Sequence, residues 1–199
     1  MEFRQVVRKR RMVRSFDQRP VPREVIDRVL DLARRAPTAG YAQGVEFLVL
    51  DTPETVRAFW EITDDPEMPN DLVDPALGPT VIVLPIADKR AYLARYAEGD
   101  KIDVGMDREE AWPVPFWDID AAMASMLALL AAVDEGLAGW FFGINYGERA
   151  LLDHFGVPEG IRPVGILGFG YRADAEAPSG SGAVRARRPL EDQLHRNGW

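Results

Sequence analysis

Between Phe116 and Val133 the sequence is apolar on nearly every side of a helix, with Ala121, Ala122, Met123, Ala124, Met126, Leu127, Leu129, Leu130, Ala131 and Ala132 in close succession. A helix on the surface of a monomer needs a polar face. This one needs either a full core around it or a second copy of the chain against it, and its small residues allow a close approach. We expect a homodimer with this helix at the interface. The run Ala121 to Val133 is shorter than the roughly 20 residues that span a bilayer. Asp118, Asp120, Asp134 and Glu135 flank it, so it reads as a buried helix and not a membrane anchor.

The remaining pattern supplies the core that such a helix requires. Val81 to Ile86 is continuously apolar, as in a strand covered on both faces, so helices must pack on either side of it. Glu2 to Arg11 reads as a helix with Phe3, Val6 and Val7 on one side. A second helix runs from Pro22 to Arg35 on Val25, Ile26, Val29, Leu30, Leu32 and Ala33. Ala36 to Gly44 has the proline, glycine and small residues of a loop that brings its backbone close to something. A short strand over Glu46 to Leu50 follows. Asp51 to Glu54 then offers a cap and a first-turn proline for a helix over Pro53 to Ile62, with Val56, Phe59 and Trp60 inward.

Asp64 to Pro79 reads as irregular. Asp88 to Trp112 is charged and unpatterned, a candidate lid carrying Tyr92, Tyr96 and Trp112. Gly136 to Ile144 reads as an aromatic strand, Glu148 to Phe155 as a short helix, and Pro163 to Gly170 as another buried strand. Ala173 to Ala183 has linker composition, and the tail ending in Trp199 is expected to dock. The order implies one domain over residues 1–199, with the tail from 171, of class α+β: a central mixed β-sheet flanked by helices.

Composition narrows the chemistry. The chain has 199 residues, formal net charge -8 and no cysteine, and His154 and His195 are isolated from each other. Disulfides, thiol nucleophiles and thiolate or histidine metal centres are thereby set aside, and no metal is expected. Nucleic acid is not expected as a partner, because an acidic surface lacks the basic track that phosphates require. The first residues lack the order of a secretory signal, so the expected location is cytoplasmic, with no membrane partner.

Against the acidic background, Arg8 to Arg14 packs five cations into seven residues, and Arg185, Arg187 and Arg188 form a second cluster. A local reversal of sign suggests a local anionic ligand, although a solvated basic helix face is the plainer account of a charge run alone.

Three separated stretches together resemble the FMN-dependent nitroreductase family. Arg10-Arg11-Met12-Val13-Arg14-Ser15-Phe16 is similar to the family's opening Arg-Arg-Ser-x-Arg-x-Phe. Ala36-Pro37-Thr38-Ala39-Gly40-Tyr41-Ala42-Gln43 is similar to its Ala-Pro-Ser-x-x-Asn-x-Gln-Pro loop, and Arg185 and Arg187 precede a Pro-Leu-Glu as in the family. The resemblance covers nearly the whole chain. It implies a nitroreductase-like fold, FMN as cofactor, NAD(P)H as donor and a flat acceptor such as a nitroaromatic or quinone. Catalytic side chains are not expected, since the chemistry belongs to the flavin.

Carried over residue by residue, Arg10, Arg185 and Arg187 would hold the phosphate, with Arg11 and Met12 beside them, and Arg14 would lie near the pyrimidine edge of the ring. Pro37, Thr38, Ala39, Gly40 and Tyr41 would approach the ring from the partner subunit, Gln43 would add a polar contact, and the backbone of Phe141, Phe142 and Gly143 would line the other side. Met12 replaces a serine, Tyr41 an asparagine and Gly44 a proline. Two other readings remain open at this point: a specialised protein of this fold acting in cofactor biosynthesis or processing, and a flavin- or anion-binding dimer without turnover.

Overall fold

The structure, a computed structural model, describes residues 1–67, 77–174 and 181–199. Among these, strand β3 (Val81–Ala87) is the organising element, and every one of its residues is buried. Its side chains alternate between two cores. Val81 and Val83 enter one with Leu167 and Phe169, while Ile82, Leu84 and Ile86 enter the other with Leu50, Phe59, Leu151 and Ile166. Period-two alternation with both faces apolar requires a helical layer on each side.

Two helices supply the first layer. Helix α2 (Arg23–Ala33) contributes Ile26, Val29 and Ala33, and α5 (Phe116–Asp134) contributes Ala128, Leu129, Ala131 and Ala132. The second layer is α3 (Pro53–Thr63) with α6 (Glu148–His154), which bring Phe59, Leu151 and Leu152. Helix α3 starts where the sequence indicates. Thr52 and Thr55 form a reciprocal capping box, and Pro53 occupies the first turn, where its missing N–H costs nothing.

The described sheet has six strands. Strand β3 pairs with β2 (Val45–Leu50), β5 (Arg162–Pro163) and β6 (Ile166–Arg172), and β6 pairs in turn with β1 (Phe16–Asp17) and β4 (Ala138–Phe142). All of these ladders are antiparallel. The one parallel pairing among the described residues is an isolated bridge between Met12 and Gly139, at the margin of β4.

Several expectations change. In α1 (Phe3–Lys9) only Val6 is buried, while Phe3 and Val7 are exposed, as is Leu32 of α2. Residues 88–112 are not patternless. They contain helix α4 (Lys89–Tyr96) and two short 3-10 turns, and they bury Tyr92 and Trp112 against Trp117. Those two rings therefore serve the core, and Tyr96 is the one of the three that stays partly exposed.

Part of the proposed linker is ordered as the one-turn helix α7 (Ser181–Val184), while residues 175–180 and most of the irregular 64–79 stretch lie outside the described residues. Residues 181–199 are all exposed, and the Trp199 ring stacks on His195 at 4.1 Å and does not dock on the body of its own chain. Docking of an aromatic terminus needs a complementary surface, and the described residues of this protomer provide none at Trp199.

Helix α5 has 19 residues and is long and apolar enough to match a bilayer crossing by length alone, but half of it is buried in this fold under α2 and the sheet. It is a core helix. Its uncovered side presents Ile119, Met123 and Met126, spaced as one face of a helix.

Candidate functional site

The segment after α1 is drawn onto β4. Met12 bridges to Gly139, the Val13 N–H donates to the Gly139 carbonyl at 3.1 Å, and the Phe141 N–H points at the Met12 sulfur at 3.4 Å. Two of the stretches singled out in the sequence, Arg10 to Arg14 and Phe141 to Gly143, thus lie side by side. Arg10 caps the end of α1, its N–H bonded to the Val6 carbonyl. Its Nη1 is buried with no hydrogen-bond partner. Arg11 turns back instead, and its Nη1 donates to the carbonyls of Arg8 at 2.6 Å and Arg10 at 3.0 Å. The Arg14 guanidinium lies 5.8 Å from the centre of the Trp140 ring, a cation over an aromatic face.

Beside this end of β4 is a cavity of about 1440 Å³, whose walls include Trp60, Trp140, Phe142 and Gly143. Phe142 stacks between the two tryptophans, 4.1 Å from Trp140 and 5.8 Å from Trp60. Trp60 was legible in the sequence only as an inward residue of α3. Its place on this wall comes from the sheet, which sets β4 against that helix.

The loop from Pro37 to Gly44 is held elsewhere in the protomer, by α4 and α5. The Ala39 N–H donates to Asp120 Oδ2 at 2.8 Å, Tyr92 Oη donates to the same oxygen at 2.9 Å, and Arg95 Nε donates to the Gly40 carbonyl at 2.9 Å. Within the loop the Gln43 N–H reaches Thr38 Oγ1 at 3.0 Å. Burial first, and then the hydrogen bond to Asp120, pushes the Tyr92 phenol well above its ordinary pKa, so it stays a donor. Asp120 is 1 % exposed. The sequence reading missed it, yet a signal existed: it shares a face of α5 with Ala124, Ala128 and Ala131, all buried.

Pro37, Tyr41 and Gln43 are exposed at the loop surface, and Thr38, Ala39 and Gly40 are partly covered. Arg185 and Arg187 stand on the exposed tail after α7. Within the protomer, then, the structure joins the Arg10 segment to β4 and the Pro37 loop to α4 and α5. No group of His, Asp or Glu side chains suited to a metal ion occurs among the described residues.

Comparisons with known proteins identify the fold and the family. An iodotyrosine deiodinase from Nematostella vectensis is 29% identical over 204 residues, covering 96% of this chain and 73% of its own length. An NADPH-dependent oxidoreductase from Staphylococcus haemolyticus is 25% identical over 193 residues, covering 96% and 72%. Among solved structures, a nitroreductase family protein from Clostridium difficile 630 superimposes with a TM-score of 0.70 at 23% identity over all of both chains. A protein from Exiguobacterium sibiricum 255-15, solved in complex with FMN, gives 0.71 at 21% identity over 99% and 98%. The model of the Nitroreductase family matches residues 7–171, from the last turn of α1 into β6, and the chain belongs to that family.

Proposed function

We propose that the protein is a homodimeric FMN-dependent oxidoreductase that takes hydride from NAD(P)H and delivers electrons to a flat, electron-poor acceptor such as a nitroaromatic or quinone. The observation that carries this reading is Arg10 Nη1, a buried guanidinium nitrogen without a partner. An unsatisfied buried polar group costs about 1–3 kcal/mol, and more when charged, a cost that a phosphate placed against it would offset. The residues present therefore fit the phosphate end of FMN. Arg10 would hold it with Arg185 and Arg187, Arg14 would sit at the pyrimidine edge, and the β4 end from Phe141 to Gly143 would border the ring.

When bound, the flavin supplies the redox chemistry, accepting a hydride and passing electrons on. The chain's own residues bind and orient. Arg14, 5.8 Å from the centre of the Trp140 ring, would place positive charge where electron density grows on reduction, and the stacked Trp140 and Phe142 rings would limit the water that reaches the site. Met12 replaces the family's serine and removes a hydroxyl contact, leaving the backbone to serve there.

The dimer rests on the exposed apolar face of α5, with Ile119, Met123 and Met126, and on Phe3 and Val7 of the neighbouring α1. An apolar surface of this kind on a core helix calls for a second copy, and pairing would carry the Pro37 to Gln43 loop of one subunit toward the other's flavin. The candidate lid at 88–112 would act on the acceptor through Tyr96 and the loop it supports. The reading places the dimer in the cytoplasm, where NAD(P)H is supplied.

The experiment is a visible spectrum of the purified protein before and after adding FMN, followed by NAD(P)H oxidation with menadione. We expect a flavin spectrum and ping-pong turnover. A protein that stays colourless with added FMN would exclude the reading. A yellow protein that does not turn over would leave the binding dimer or the cofactor-processing protein in its place.

A further inference from the structure

The loop between Thr38 and Gly44 is strained in a way that its sequence does not require. Gly40, Tyr41 and Gln43 all have positive φ, at 61°, 57° and 53°, and two of these three carry side chains that disfavour that region. Each such residue costs roughly 1 kcal/mol or more and persists only where the surroundings over-determine it.

Here they do. Asp120 holds the Ala39 N–H at 2.8 Å, and Arg95 holds the Gly40 carbonyl at 2.9 Å. The Tyr96 ring lies so close over Gly40 that a Cβ there would come within 2.7 Å of it, and Tyr92 lies equally close over Gly44, at 2.6 Å. Arg95 is itself fixed by a two-pronged ion pair to Asp100, with both contacts at 2.7 Å. Four side chains from two helices thus immobilise a turn whose tip, Tyr41, is 75% exposed. A ring carried into solvent on a fixed, strained backbone has no role in the core of its own chain. It is suited to stacking on a flat partner at low entropic cost.

We propose that Arg95 and Asp120 are positioning residues that lock this turn so that Tyr41 is presented as a fixed stacking face, and that this face sets the preference for flat aromatic acceptors. The proposal deepens the oxidoreductase reading and rests on it, since the loop meets an acceptor only if it faces a flavin site across the dimer.

Two measurements on the full chain separate the clamp from the redox reading. The first is hydrogen exchange of the Ala39, Tyr41 and Gln43 amides without flavin. Arg95→Ala should speed exchange there about threefold to tenfold, the effect of losing one good hydrogen bond, and Arg95→Lys, which can still donate to the Gly40 carbonyl, should restore much of the protection. Unchanged exchange would refute the clamp.

The second is steady-state kinetics of the FMN-loaded enzyme with menadione, a flat acceptor, and ferricyanide, which cannot stack. Tyr41→Ala should raise KM for menadione about fivefold to tenfold relative to ferricyanide, with kcat moving much less, and Tyr41→Phe should recover the native ratio. Arg95→Ala should shift the ratio in the same direction. A residue with a purely structural role would lower the yield of active enzyme and leave the ratio alone. An unchanged ratio in Tyr41→Ala refutes the selectivity role even if the clamp holds. Should the protein bind no flavin, the selectivity role falls with the oxidoreductase reading, and exchange alone decides the clamp.

Discussion

The sulfur of Met12 lies 3.4 Å from the backbone nitrogen of Phe141. This contact ties the basic segment after α1 to the strand that walls the cavity, and it is made by the residue that departs from the family's serine. A thioether is a weak acceptor, so its larger contribution is the half-buried side chain packed against Val13, Ala138 and Trp140. Met12→Ser should therefore destabilise the fold by about 1–2 kcal/mol, less than the roughly 2–5 kcal/mol for truncating a fully buried methionine, because Met12 is only partly covered. Urea unfolding measures this. No loss of stability would mean that the family's serine fits as well and that the packing argument is wrong.

Arg10→Ala should weaken FMN binding at least about tenfold, because it removes a charge-assisted contact to phosphate. The fold should remain, since Arg10 makes its structural hydrogen bond through the backbone N–H and not through the side chain. Fluorescence titration of FMN against native and variant protein gives the ratio. Equal affinities would remove Arg10 from the phosphate site. The double variant with Arg187→Ala should lose more, provided the exposed tail closes over the phosphate in the dimer.

Met126→Asp should shift the protein toward monomer. Met126 is 42% exposed on the same uncovered face of α5 as Ile119 and Met123, and a carboxylate there would be buried without a counter-ion on pairing. In a monomer the charge is solvated and the fold is retained. Light scattering after gel filtration reports the mass. A variant that remains dimeric would place the interface elsewhere.

The ion pair beside the loop predicts a pH dependence. Hydrogen bonds from Arg95 are the main cause that draws the Asp100 carboxyl down to about 2 from 3.8. A carboxylate depressed in the folded state contributes stability above its unfolded pKa, and that contribution fades as pH falls through the folded value. The window is therefore between about pH 4 and pH 2, and the effect is small because the pair is solvent-exposed. Carboxyl NMR titration should find Asp100 well below an ordinary aspartate. A normal midpoint would show that the pair does not persist in solution, leaving Arg95 fixed by Glu98 and the Gly40 carbonyl.

The elements with strong patterns could be read directly from the residues. Val81 to Ile86 had to be a doubly covered strand because it is apolar at every position, and Phe116 to Val133 had to be a helix against something apolar on more than one side. Thr52 and Pro53 marked a helix start because capping is a local interaction. Phe3 and Val7 show where such reading stops. Periodicity says that a face is apolar but not whether its partner is the same chain or another. The helix within residues 88–112 was illegible for a related reason: α4 has no clear apolar stripe, and Tyr92 and Trp112 are buried by contacts with the distant α5.

By itself the sequence determined the helices and strands whose residues repeat with the right period, the basic run at Arg8 to Arg14, and a family resemblance spread over three separated motifs. Tertiary structure alone decided that Met12 lies on β4, that Trp60 shares a wall with Phe142, and that Asp120 reaches Ala39 across 81 positions of chain. The physical reason is that periodicity and capping act over a few neighbouring residues. A buried carboxylate instead takes whatever donor the folded chain brings within hydrogen-bond distance, and that pairing depends on the packing of the whole molecule.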